Sequence, residues 1–127
     1  ILSKKDIVLF SDGSPTRTYC YILDAVEGYL RSLLSDCDGE SFNIGSSNPE
    51  ISVKDLANKM IKLCNPNLNL RFEKNIDLEY NVDNPTRRCP DTRKARTHLD
   101  FNPKIGIDEG LRRTFDFYSG NLEGTNN

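Results

Sequence analysis

Residues 7–34 read IVLFSDGSPTRTYCYILDAVEGYLRSLL, and the spacing of apolar residues changes partway along. IVLF at 7–10 is a short apolar run closed by the turn signal SDGS, which predicts a strand. RTYCYI at 17–22 is rich in aromatic and β-branched residues and predicts a second strand or extended segment. From Asp24 the period lengthens. Val26, Tyr29, Leu30, Leu33 and Leu34 fall at i, i+3, i+4, i+7 and i+8, one face of a helix. Asp24 is a candidate N-cap, and DCDG at 36–39 stops the run. Strand, turn, extended segment and helix in one short span predict a mixed α/β unit.

The rest of the chain continues the alternation. SFNIG at 41–45 predicts a short strand entering a glycine turn, and SVKD at 52–55 resembles a capping box with Asp in the place of Glu or Gln. Val53, Leu56, Ala57, Met60 and Leu63 form the apolar stripe of the helix that follows, which NPN at 65–67 ends. LRF at 70–72 predicts a brief strand, before an acidic and irregular stretch at 73–85. Asp91, after Pro90, is placed to cap a third helix, TRKARTHL. Ile107, Leu111, Phe115 and Tyr118 mark a fourth. The predicted architecture is a small mixed α/β domain over residues 1–118, with about four helices and several short strands. Residues 119–127, SGNLEGTNN, have the composition of a flexible tail.

The totals narrow the class. With 127 residues the chain is one domain's worth, and its 36% hydrophobic and 28% charged residues describe a soluble globular protein. No apolar run approaches the roughly 20 residues of a membrane helix, and no signal-peptide pattern opens the chain. Cys20, Cys37, Cys64 and Cys89 form no Cys-x-x-Cys pair, so a zinc site from cysteines is not expected. Reduced thiols in a cytoplasm are the expectation. The chain opens ILSKKD and holds a single methionine, Met60, which suggests that it is part of something longer.

Much catalytic chemistry is absent. The single histidine, His98, excludes a multi-histidine metal site, and it reads as structural. No G-x-G-x-x-G or P-loop is present, and no tyrosine is followed four residues later by lysine. Three polar features remain: SDGSPTR at 11–17, ending in Arg17; Asn43 in FNIG; and the cluster DNPTRRCPDTRKAR at 83–96, strongly basic in a chain of formal charge −2. A guanidinium offers paired hydrogen bonds to phosphate at any physiological pH, so two arginines from separate segments suit a diphosphate. Arg93, Lys94 and Arg96 read as the solvated face of the third helix, while Arg87 and Arg88 stay open on local sequence alone.

DGSPTRTYCYILDAVEGYL, FNIGSSNPEISVKDLANKM and DNPTRRCPDTRKARTHLDFNPKIGIDEGLRRTFDFY follow in an order that resembles the C-terminal substrate-binding part of extended short-chain dehydrogenase/reductases acting on nucleotide sugars. The resemblance is greatest to UDP-glucuronate decarboxylases, with dTDP-glucose dehydratases and UDP-glucose epimerases as cousins. It implies a missing N-terminal Rossmann domain that binds NAD and supplies a Tyr-x-x-x-Lys pair, and a fragment inactive by itself. It also implies a UDP- or dTDP-sugar ligand and a homodimeric parent. Arg17 and Arg88 match the two diphosphate-contacting arginines, and Asn43 an asparagine beside the nucleotide. Val8 and Phe10 match the segment lining the base, and Asp91 a ribose or arginine partner. Ser11 and Pro15 depart from the usual glycine and glutamine. Two other readings compete: a non-catalytic nucleotide-binding module, and a nucleic-acid-binding domain built on residues 87–96. Net acidity and the lack of aromatic stacking residues count against the second. No membrane partner is expected. Cys89, flanked by arginine, is a weak candidate for a reactive thiol.

Overall fold

A computed structural model describes residues 1–73 and 85–123. Five short strands and four helices alternate among the described residues: β1 (Ile7–Leu9), β2 (Thr16–Arg17), α1 (Ile22–Leu33), β3 (Ile51–Ser52), α2 (Val53–Cys64), β4 (Leu70–Phe72), β5 (Arg87–Arg88), α3 (Arg93–Leu99) and α4 (Ile107–Glu123). This is the small mixed α/β unit that the sequence predicts. The strands form two separate sheets. β1 pairs with β4 in parallel, and the other sheet has the order β3-β2-β5, antiparallel on one side of β2 and parallel on the other.

Local chemistry sets several boundaries. Ser52 caps α2: its hydroxyl accepts from the Asp55 N–H at 3.0 Å and donates to the Asp55 carboxylate at 2.6 Å. The carbonyls of Pro15 and Gly13 accept from Val53 and Lys54, so the 13–15 loop caps the same helix end. Gly13 makes that approach possible. Its φ of +72° is left-handed, and a Cβ there would lie 2.8 Å from Lys54 Cβ. Asp100 ends α3 in the left-handed conformation, which lets Phe101 N–H reach back to the Ala95 carbonyl.

The core is Ala95, Leu99 and Phe101, with Cys20, Cys37, Phe42 and Ile44 packed around it. Gly28 brings α1 onto this cluster. A Cβ at that position would sit 2.5 Å from Ile44 Cγ2 and 3.0 Å from the Phe101 ring. One turn earlier, Asp24 is buried and its Oδ2 accepts the backbone N–H groups of Lys104 and Ile105 at 3.1 and 2.8 Å. On the far side α2 packs against α4, where Lys59 and Asp108 pair at 2.6 Å.

Several expectations are corrected. Asp24 is not the N-cap of α1: Tyr21 holds that position, without a side-chain bond, and Asp24 lies inside the first turn. The predicted strand at 17–22 contributes only Arg17 to a strand, and 41–45 forms none. Asp91 stands one residue outside the cap of α3, which is Thr92, though its Oδ1 accepts the Arg93 N–H at 3.0 Å. α4 continues to Glu123, into the segment expected to be a flexible tail. Of the irregular stretch at 73–85, residues 74–84 lie outside the described residues, as do tail residues 124–127.

The apolar stripe of α1 is where the pattern predicts it, yet it is open to solvent. Leu33 is 78% and Leu34 81% exposed, and Val26, Tyr29 and Leu30 are exposed as well.

Candidate anion-binding site

β2 and β5 are each two residues long, and their register puts Thr16 opposite Arg87 and Arg17 opposite Arg88. Successive side chains on a strand point to opposite faces. One face of this small sheet therefore carries Thr16 and Arg87, and the other carries Arg17 and Arg88, with Ile51 of β3 beside Arg17.

The two faces have different chemistry. On the first, Glu50 gathers the polar groups. Its carboxylate accepts from Arg87 Nε at 2.9 and 3.1 Å, from Arg87 Nη2 at 2.8 Å and from the Thr16 hydroxyl at 2.5 Å. Arg87 and Thr16 together hold the Glu50 carboxyl below its ordinary pKa, with the Arg87 hydrogen bonds the larger cause. On the second face, Arg17 donates from Nη1 to its own neighbour's carbonyl, Thr16 O, at 2.7 Å. Arg88 is exposed and has no carboxylate partner among the described residues. Strand alternation separates the two arginines: Arg87 faces Glu50, and Arg88 lies on the side of Arg17.

Asn43 and Asp91 are brought together beside this sheet. Asn43 Nδ2 donates to the Asp91 carbonyl at 3.0 Å, Pro90 Cγ lies 3.5 Å from where a Gly45 Cβ would be, and Cys89 Sγ approaches the Ser47 carbonyl at 3.4 Å. Residues 43–47 therefore run alongside 89–91, in line with β5. The Asp91 carboxylate is engaged by Arg93, at 3.0 Å from Nε and 2.5 Å from Nη2. Those bonds, with that of the Arg93 N–H, lower its pKa to about 2. Lys94 pairs with Glu40 at 2.6 Å and stands over the Phe42 ring. Val8 and Phe10 are elsewhere, on and just after β1 in the other sheet. Phe10 is 55% exposed, and the 11–15 loop joins it to Arg17.

The Ser11 and Pro15 departures are absorbed locally. The Ser11 hydroxyl accepts the Gly13 N–H at 3.2 Å, and the Pro15 carbonyl caps α2. All four cysteines are free. Among the described residues no group of three or more His, Cys, Asp or Glu side chains is arranged to hold a metal ion, and no helix is long and apolar enough to cross a membrane. Sequence reasoning missed Glu50, which has no local signal, because its partners are 34 and 37 residues away.

Residues 1–45 match the model of the NAD dependent epimerase/dehydratase family. UDP-glucuronic acid decarboxylase 1 of Arabidopsis thaliana is 32% identical over 112 residues, 88% of this chain and 24% of the relative. An epimerase from Methanothermobacter thermautotrophicus superposes with a TM-score of 0.85 at 27% identity, over 96% of this chain and 35% of that one. The UDP-glucuronic acid 4-epimerase of Bacillus cereus, in complex with UDP-glucuronic acid and NAD, gives a TM-score of 0.79 at 28% identity, over 95% and 37%. The chain thus spans about a quarter to a third of the length of these relatives.

Proposed function

The chain belongs to the NAD dependent epimerase/dehydratase family, and we propose that it supplies the nucleoside-diphosphate grip of an enzyme that decarboxylates, dehydrates or epimerises a UDP- or dTDP-sugar. The observation that carries this reading is the in-register pair of Arg17 and Arg88 on one face of the β3-β2-β5 sheet. A diphosphate brings about two negative charges, and desolvating them without partners is expensive. Two guanidiniums on adjacent strands, about 5 Å apart at the backbone as the sheet spacing requires, give charge-assisted bonds to both phosphates.

Asn43 and Asp91, locked together through the Asp91 carbonyl, form the flank that meets the nucleoside, with Val8 and Phe10 supplying apolar surface for the base. The decarboxylase name of the Arabidopsis relative favours decarboxylation of a UDP-sugar. NAD, which would be held by a domain outside this chain, would supply the hydride-transfer chemistry. The part of this chain is to bind and orient, so that the sugar lies at a fixed distance from chemistry performed elsewhere. The uncovered apolar face of α1 supports a division of labour in which a second domain packs there.

The test is the Arg88→Ala variant of the intact protein, titrated with UDP by calorimetry. Loss of a charged hydrogen bond predicts affinity weaker by about 2 kcal/mol. Unchanged affinity overturns the reading.

A further inference from the structure

We propose that Glu50 is a positioning residue for this grip, a role that rests on the reading of Arg17 and Arg88 as phosphate ligands. A sheet of two-residue strands has few ladder hydrogen bonds to hold its register. Between β2 and β5 the chain supplies Thr16 N–H to the Thr86 carbonyl at 2.8 Å and Thr18 N–H to the Arg88 carbonyl at 3.3 Å. Beyond them β5 runs into Cys89 and Pro90, and proline has no N–H to extend the ladder. Glu50 adds what the backbone lacks. It stands immediately before β3, and its carboxylate bonds to Thr16 of β2 and Arg87 of β5, so a single side chain ties all three strands from one face.

The tie has a directional consequence. A shift of β5 by one residue would turn Arg88 to the Glu50 side and Arg87 to the other. With Arg87 clasped at two oxygens, Arg88 is presented beside Arg17. Glu50 itself is anchored from behind, because β3 leads directly into α2, whose first N–H groups are bonded to the 13–15 loop. Glu50 never approaches the anion. It acts through Arg87 on the placement of Arg88.

The experiment is a double-mutant cycle in the intact protein, with UDP binding measured by calorimetry and folding checked by thermal melting. Glu50→Ala is expected to weaken UDP binding about threefold to tenfold, more than an isolated surface pair is worth in stability because the register is at stake. In the Arg88→Ala background the same change is expected to have no further effect on affinity. A general loss of structure would weaken both backgrounds alike, which overturns the proposal. So does full affinity in Glu50→Ala when Arg88→Ala is impaired, an outcome that leaves the phosphate reading standing. If Arg88→Ala binds UDP normally, the phosphate reading falls and the role of Glu50 with it. Should Glu50→Ala fail to fold, Glu50→Gln keeps one acceptor oxygen for Thr16 and Arg87 while replacing the other by an NH2 group and removing the charge. A loss of about twofold or more, absent in the Arg88→Ala background, is then the supporting result.

Discussion

Asp24 and Gly28 face inward from α1, against the backbone of 104–105 and against Phe101 and Ile44. Val26, Tyr29, Leu30, Leu33 and Leu34 face the other way and are left in solvent. The side with the stronger apolar pattern is thus the uncovered one, while the side that builds this domain's core is a glycine and a carboxylate. Periodicity reports that a face is destined for burial. It does not report by what, and here the buried side works through close backbone approach and hydrogen bonds rather than through area.

Three measurements bear on that contrast. The largest effect is expected for Phe101→Ala, since the ring is 2% exposed and sits under Gly28. It should lower the unfolding free energy by about 3–5 kcal/mol in denaturant titrations. A small loss would mean that the inner side of α1 is not the core. Next is Asp24→Ala, which strips two backbone N–H groups of their shared acceptor. About 2 kcal/mol is expected, and Asp24→Ser should recover part of it if the hydrogen bonds are responsible. The smallest effect belongs to Leu33→Ser with Leu34→Ser. In this chain the pair should change stability by less than about 0.5 kcal/mol, as exposed positions do. In the intact protein, where a second domain is proposed to cover them, each is expected to cost about 1.5–3 kcal/mol. Equal effects in the two settings would mean that nothing packs on this face.

The same contrast explains which parts were legible beforehand. The α2 boundary was readable because Ser52 and Asp55 are local partners, and α4 because its apolar stripe continues through Phe115 and Tyr118. The strands were not readable to the same degree. SFNIG has strand composition, yet it runs beside Pro90, which offers no N–H, and it is tied instead by the Asn43 side chain. Pro90 likewise cuts β5 short, so RTYCYI pairs only at its first residue. Asp24 has the composition of a cap, but its partners lie 80 and 81 residues away. In the candidate site the arginines were visible as residue types. The face each one occupies depends on the β2–β5 register, which leaves no local trace.

The succession of Arg87 and Arg88 carries a last consequence, one of redundancy. In most strands a slip of a single position replaces a functional side chain by its opposite, because neighbours point to opposite faces. Here the neighbour is another arginine. Whichever register β5 takes against β2, a guanidinium meets each face, one toward Arg17 and one toward Glu50. The doublet keeps a positive charge on both faces through such a slip, while the level at which a guanidinium stands beside Arg17 still depends on the register.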